Sequence, residues 1–195
     1  MSEASKPSRP QRSVADICEV AELGDKARSL VKPDQTPERY IELLVGCGEF
    51  PDAVRFIAHA LPKREAVWWA WVCARKCAGA EPPPPVKASL AATETWIAQP
   101  NETNRQLAMK AAGDAEFSTA AGCAGLAAFF SGPSLSPPNA PPNPPGEFMA
   151  AKAVAGAVMI AAVATEPEKA SEKYRAFVAQ GVEVAHRIKL WEPAA

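Results

Sequence analysis

The chain has 195 residues, the length of one ordinary domain and too short for two comfortable ones. Twenty are proline and 40 are alanine, which excludes an all-β or βαβ domain: alanine favours helices most and proline their interiors least, so the chain reads as helices cut by proline-marked stops. A formal net charge of −1 leaves no electrostatic footprint for a nucleic-acid partner, and an apolar share of 48% that rests on Ala, Trp, Met and Cys predicts a core closely packed by small side chains.

Residues 1–12 are rich in Ser, Pro, Lys and Arg and lack the apolar run of a signal sequence. They are expected to form a disordered arm ahead of a single helical domain over 13–191. Without a secretory route the location is expected to be cytoplasmic, with the five cysteines reduced. Ser13 and Asp16 read as a capping pair opening a helix through Val20, and a second short piece is expected over 22–31. Thr36-Pro37-Glu38 is a strong helix start, and Gly46-Cys47-Gly48 its end. Phe50, Val54, Ile57 and Leu61 recur at helical spacing up to Pro62. The next helix is predicted over Lys63–Ala78, and another from about Pro84 to Gln99. Asn101 and Asp114 are expected to cap helices over 102–112 and 115–130.

Residues 131–146 carry seven prolines in sixteen positions and predict a long loop without regular structure. Residues 148–164 are apolar apart from Lys152. They are fewer than the roughly 20 residues a membrane span needs, so they are expected to be a buried core helix. Thr165-Glu166-Pro167-Glu168 reads as a capping box for a final amphipathic helix to about Lys189, with Tyr174, Phe177, Val178, Gly181, Val182, Ala185 and Ile188 inward. No run alternates as a strand would. The fold class is therefore all-α, an irregular bundle or short superhelical array of eight to nine antiparallel helices with one Pro-rich loop.

Residues that could carry chemistry are sparse. Cys73 and Cys77 share a helix face, but a structural zinc site needs four ligands and no other paired motif supplies them. Cys18, Cys47 and Cys123 stand alone. His59 lies in an apolar helix and reads as a partly buried, hydrogen-bonded histidine, and His186 is near the chain end. Gly46-Cys47-Gly48 and Gly122-Cys123-Ala124-Gly125 lack the spacing of a phosphate cradle. The second, with Gly156, points instead to close helix packing. No catalytic residue, cofactor or metal is expected.

The most informative segment is Lys63–Val72, with three tryptophans in four positions. Consecutive helical positions differ by about 100°, so Trp68 and Trp69 cannot share the centre of one face. Trp68, Trp71, Val72 and Arg75 form one stripe, and Glu65, Trp69, Cys73 and Lys76 a neighbouring one. A helix wedged between two others would bury both stripes. An exposed tryptophan beside Arg64 or Arg75 would instead be a protein-binding hot spot. Candidate partner-binding residues are Arg64, Trp68, Trp69, Trp71 and Arg75, with Trp69 expected to be the more exposed because of Glu65 and Lys76. The Pro-rich loop is either a stiff strap across its own domain, anchored by Phe129, Phe130 and Phe148, or a surface offered to an aromatic groove.

The stretch 61–70, LPKREAVWWA, resembles the signature of an uncharacterised family of bacterial helical proteins. Softer similarity runs through 108–112, 127–135, 153–162 and 177–185, with Trp191 near the end, so it covers most of the chain from Tyr40. Members of that family are often encoded near type VI secretion genes, beside spike-tip and adaptor proteins. The resemblance implies an accessory role and carries over no functional residue. The expected function is a non-enzymatic protein-interaction module, an adaptor or chaperone for spike or effector loading in type VI secretion, with another protein as partner. The alternative is an enzyme or small-ligand-binding protein with a pocket between helices, using Cys73 or His59.

Overall fold

The computed structural model describes residues 12–137 and 139–192. Apart from Arg12, the expected N-terminal arm lies outside them. The described residues form ten α-helices, one 3-10 turn and no strand. The helices are α1 (Val14–Val20), α2 (Asp25–Ser29), α3 (Pro37–Gly46), α4 (Phe50–Ala60), α5 (Lys63–Ala78), α6 (Pro84–Ala98), α7 (Glu102–Asp114), α8 (Ala120–Phe130), α9 (Met149–Val163) and α10 (Ala170–Arg187).

The count exceeds the eight to nine expected because both short N-terminal pieces stand as separate helices. α1 is held by the Ser13/Asp16 capping box. The five-residue α2 is far too short to be stable alone. Buried groups from other helices pin its start and its middle: the Asp52 carboxylate accepts from Gly24 N–H at 3.3 Å, and the Tyr40 hydroxyl donates to Ala27 O at 2.9 Å.

Most breaks fall where local chemistry puts them. Thr36 caps α3, whose chain then turns through Gly48 at φ +78°. Pro62 separates α4 from α5, which has the bounds expected. Pro84 sits in the first turn of α6, where a missing N–H costs nothing, and Asn101 caps α7.

Three expectations are corrected. Asp114 ends α7 and does not cap α8. A turn intervenes with Glu116 at φ +63°, and Thr119 supplies the cap hydroxyl. The expected capping box at 165–168 is absent. Glu166 instead adopts φ +42°, a 3-10 turn Pro167–Lys169 follows, and Lys173 ties back to Thr165. Ile188 lies past the end of α10 and is exposed, while Val184 takes the inward place beside Ala185.

One continuous buried cluster joins all ten helices, partly through their half-buried side chains. α9 packs on α4, α5, α8 and α10, and α5 packs on α6, α8, α9 and α10. In a solenoid each repeat meets only its neighbours, so these contacts make the fold a closed bundle. Small residues permit the close packing. A Cβ on Gly125 would stand 2.9 Å from the Ala112 Cβ and 3.1 Å from the Ala108 carbonyl, so α7 and α8 approach at backbone range. α9 is buried along Ala150, Val154, Ala157, Val158 and Ala161, and no single helix among the described residues is long and apolar enough to cross a membrane.

Candidate functional site

The tryptophan helix is a wedge. Trp69 is 0% exposed and its indole Nε1 donates to Phe177 O of α10 at 2.9 Å. The ring occupies the gap left by Gly181, where a Cβ would stand 2.9 Å from Trp69 Cε2. Trp71, also buried, turns the other way and donates to Leu90 O of α6 at 2.9 Å. This corrects the expectation that Trp69 is the more exposed tryptophan. Glu65 and Lys76 lie at the two ends of the helix, where solvent reaches, and the middle of their stripe faces α9 and α10.

The other candidates do not converge on one surface. Trp68 is half-buried with the Arg187 guanidinium 5.7 Å from its ring. Arg64 is exposed but donates from Nε to Ile97 O at 2.7 Å, so its cation satisfies the carbonyl end of α6. Arg75 is exposed and stacks on Trp71 at 5.3 Å. Cys73 is fully buried, and burial pushes its thiol well above the ordinary cysteine range, so it is an inert packing group.

A residue the sequence did not single out organises the Pro-rich loop. Arg105 of α7 is 3% exposed. Its Nε and Nη2 each donate to the Glu102 carboxylate at 2.7 Å, Nη1 donates to Phe129 O at 2.7 Å, and Nη2 also reaches Ser134 O at 2.9 Å. The guanidinium stacks on Phe129 at 4.5 Å. Those hydrogen bonds hold the Glu102 carboxyl below the usual carboxylate range. Gly132 passes so close that a Cβ there would stand 2.3 Å from Arg105 Cδ.

Beyond this anchor the loop closes on itself. Leu135 N–H donates to Asn143 O at 2.7 Å, and Asn143 N–H donates to Ser134 Oγ at 2.9 Å. The base of the loop is therefore tied to α7 and to itself. Pro137, Asn139, Ala140, Pro141, Pro142 and Pro144 stand exposed above it. Phe129 is buried at the near end. At the far end, half-buried Phe148 packs on His59 with ring centroids 5.6 Å apart.

That far end borders a cleft of about 260 Å³, between the end of α4, the start of α5, the start of α9 and the chain after α10. His59 is 8% exposed and lines it. The ring Nδ1 lies 2.8 Å from Arg55 O. A carbonyl can only accept, so Nδ1 carries the proton and Nε2 of the neutral ring is a lone-pair acceptor. Nε2 is shielded from solvent and meets no hydrogen-bonding partner among the described residues. Burial, ahead of the neighbouring Lys152 and Arg12 charges, pulls the His59 pKa below the ordinary imidazole value, against the opposing Arg55 carbonyl and Glu22 carboxylate.

No curated protein and no solved structure matches the chain. A family of unknown function, DUF6931, matches residues 40–185, from the middle of α3 to the last turns of α10 and so across the wedge helix, Arg105 and the Pro-rich loop; the chain belongs to that family.

Proposed function

We propose that this protein is a non-enzymatic protein-interaction module that presents the loop between α8 and α9 to a protein partner. The observation that supports this best is the commitment of a buried arginine to the base of an otherwise exposed Pro-rich segment. Arg105 carries a charge into the interior, a placement tolerated only when its donors are satisfied, and two of its acceptors are backbone carbonyls that set the loop's take-off. Prolines fix φ, and the Asn143 bonds fix the returning segment, so little freedom is left to lose on binding. Pro-rich extended segments of this kind dock in aromatic-lined grooves. On the resemblance of the LPKREAVWWA stretch, the partner belongs to a type VI secretion apparatus, and this protein serves as adaptor or chaperone for its spike or effector.

The test is affinity capture from native cells with wild type and a Pro141→Ser/Pro142→Ser/Pro144→Ser variant. Wild type is expected to retain a stoichiometric protein partner. The variant is expected to lose at least tenfold of it while melting at the same temperature. Retention of no stoichiometric partner, or equal retention by both, overturns the reading.

A further inference from the structure

The cleft beside His59 carries an inference separate from the loop. Its walls include Leu61, Ala66, Ala151, Phe148 and Trp191, largely apolar and aromatic. Of the charged groups that line it, Arg12 and Glu147 pair with each other at 2.9 Å, and Lys63 stands exposed at the start of α5; nearby Lys152 pairs with Glu22 at 2.8 Å. A charged guest on the Arg12 side would have to compete with these pairs, whereas a neutral one would not. The volume, about 260 Å³, fits a single aromatic ring with short substituents, since a cavity of about 150 Å³ already takes benzene.

A wall residue, His59, carries the one buried side-chain polar atom without a partner among the described residues, and that atom decides the chemistry. An acceptor buried without a donor keeps the desolvation cost of burial with no hydrogen bond to offset it. His59 Nε2 is such an acceptor. We propose that this cleft is a binding site for a small neutral molecule with an aromatic body and one hydroxyl or N–H group, which donates to His59 Nε2. Nε2 is covered in this conformation, so a guest must displace a neighbouring side chain, and half-buried Phe148, with its ring 5.6 Å from the His59 ring, is the one placed to move. Phe148 also ends the Pro-rich loop, so a guest in the cleft bears directly on the loop's far anchor.

The test uses the full chain and two probes of nearly equal shape, 4-methylphenol and toluene. Binding is followed by titration of amide shifts, and the His59 ring nitrogens by long-range proton–nitrogen correlation. 4-Methylphenol is expected to saturate, to move the His59 Nε2 resonance, and to bind at least tenfold tighter than toluene. His59→Phe keeps a ring of similar size without the acceptor and is expected to lose at least tenfold in affinity for 4-methylphenol. Ala151→Leu fills the cleft with His59 in place and is expected to abolish binding, which keeps the test decisive should His59→Phe unfold. No saturable binding of 4-methylphenol, equal binding of toluene, or an unmoved Nε2 resonance overturns the proposal.

Discussion

Trp69 shows how a side chain reads at the scale of one residue. Its neighbours along the helix stripe, Glu65 and Lys76, are polar, yet the ring is fully buried and its N–H is bonded to a carbonyl 108 positions away. The slot it enters is made by Gly181, a residue with no side chain to announce it. Trp69→Ala is expected to cost about 3–5 kcal/mol in unfolding free energy, as for other large core aromatics. Trp68→Ala, at a half-buried position, is expected to cost less than half as much. Urea titration of the two variants checks the order, and an equal loss in both would show that Trp69 is not the keystone. Arg105 was hidden for a related reason: an arginine in a helix of mixed polarity reads as surface, and only the fold brings Phe129 and Ser134 over it.

At the scale of elements, glycines that look alike along the chain differ in what their empty side faces. Gly122 and Gly156 were both read as marks of close helix packing. A Cβ on Gly122 would stand 2.1 Å from the Glu116 carbonyl oxygen, because the α7–α8 turn folds back over the first turn of α8. A Cβ on Gly156 would stand 3.6 Å from Cys123 Sγ, an ordinary contact. Gly122→Ala is therefore expected to destabilise by about 1–3 kcal/mol through overpacking. Gly156→Ala is expected to stabilise by about 0.5–1 kcal/mol by removing chain freedom from a helix interior. Thermal melts should move in opposite directions, and shifts of the same sign would contradict this placement. Local signals place the starts of α1, α3, α6 and α7, through Ser13, Thr36 with Pro37, Pro84 and Asn101. They failed at 115–119 and 165–169, where positive-φ residues that are not glycine turn the chain. Nothing in the identity of Glu116 or Glu166 signals that conformation, because the surrounding packing imposes it.

The stability of the whole molecule should depend on pH through its buried histidine. Burial holds the His59 pKa below the ordinary 6.5, with Lys152 and Arg12 acting in the same direction and the Arg55 carbonyl and Glu22 opposing. As pH falls past 6.5 the unfolded chain takes a proton that the folded chain does not. The unfolded state then binds more protons, and stability declines until the folded-state pKa is reached. Urea midpoints are expected to fall between pH 7 and pH 5.5 in wild type. In His59→Phe the slope over that window should be smaller, and an unchanged slope would assign the dependence to other groups.

The sequence by itself determined the class of structure. Alanine and proline placement made it helical, caps and breaks set most helix boundaries, and the paucity of large aliphatics required a closely packed core. These follow from interactions within a few residues, which the order of amino acids states directly. Whether the tryptophan helix faced solvent, what anchored the Pro-rich loop, and where an unsatisfied acceptor would meet a cleft were decided only by the tertiary structure. Each depends on groups far apart in the chain: Trp69 on Phe177 and Gly181, Arg105 on Phe129 and Ser134, His59 on Phe148. Burial is a property of the neighbours a residue acquires, and those neighbours are fixed only when the helices pack together.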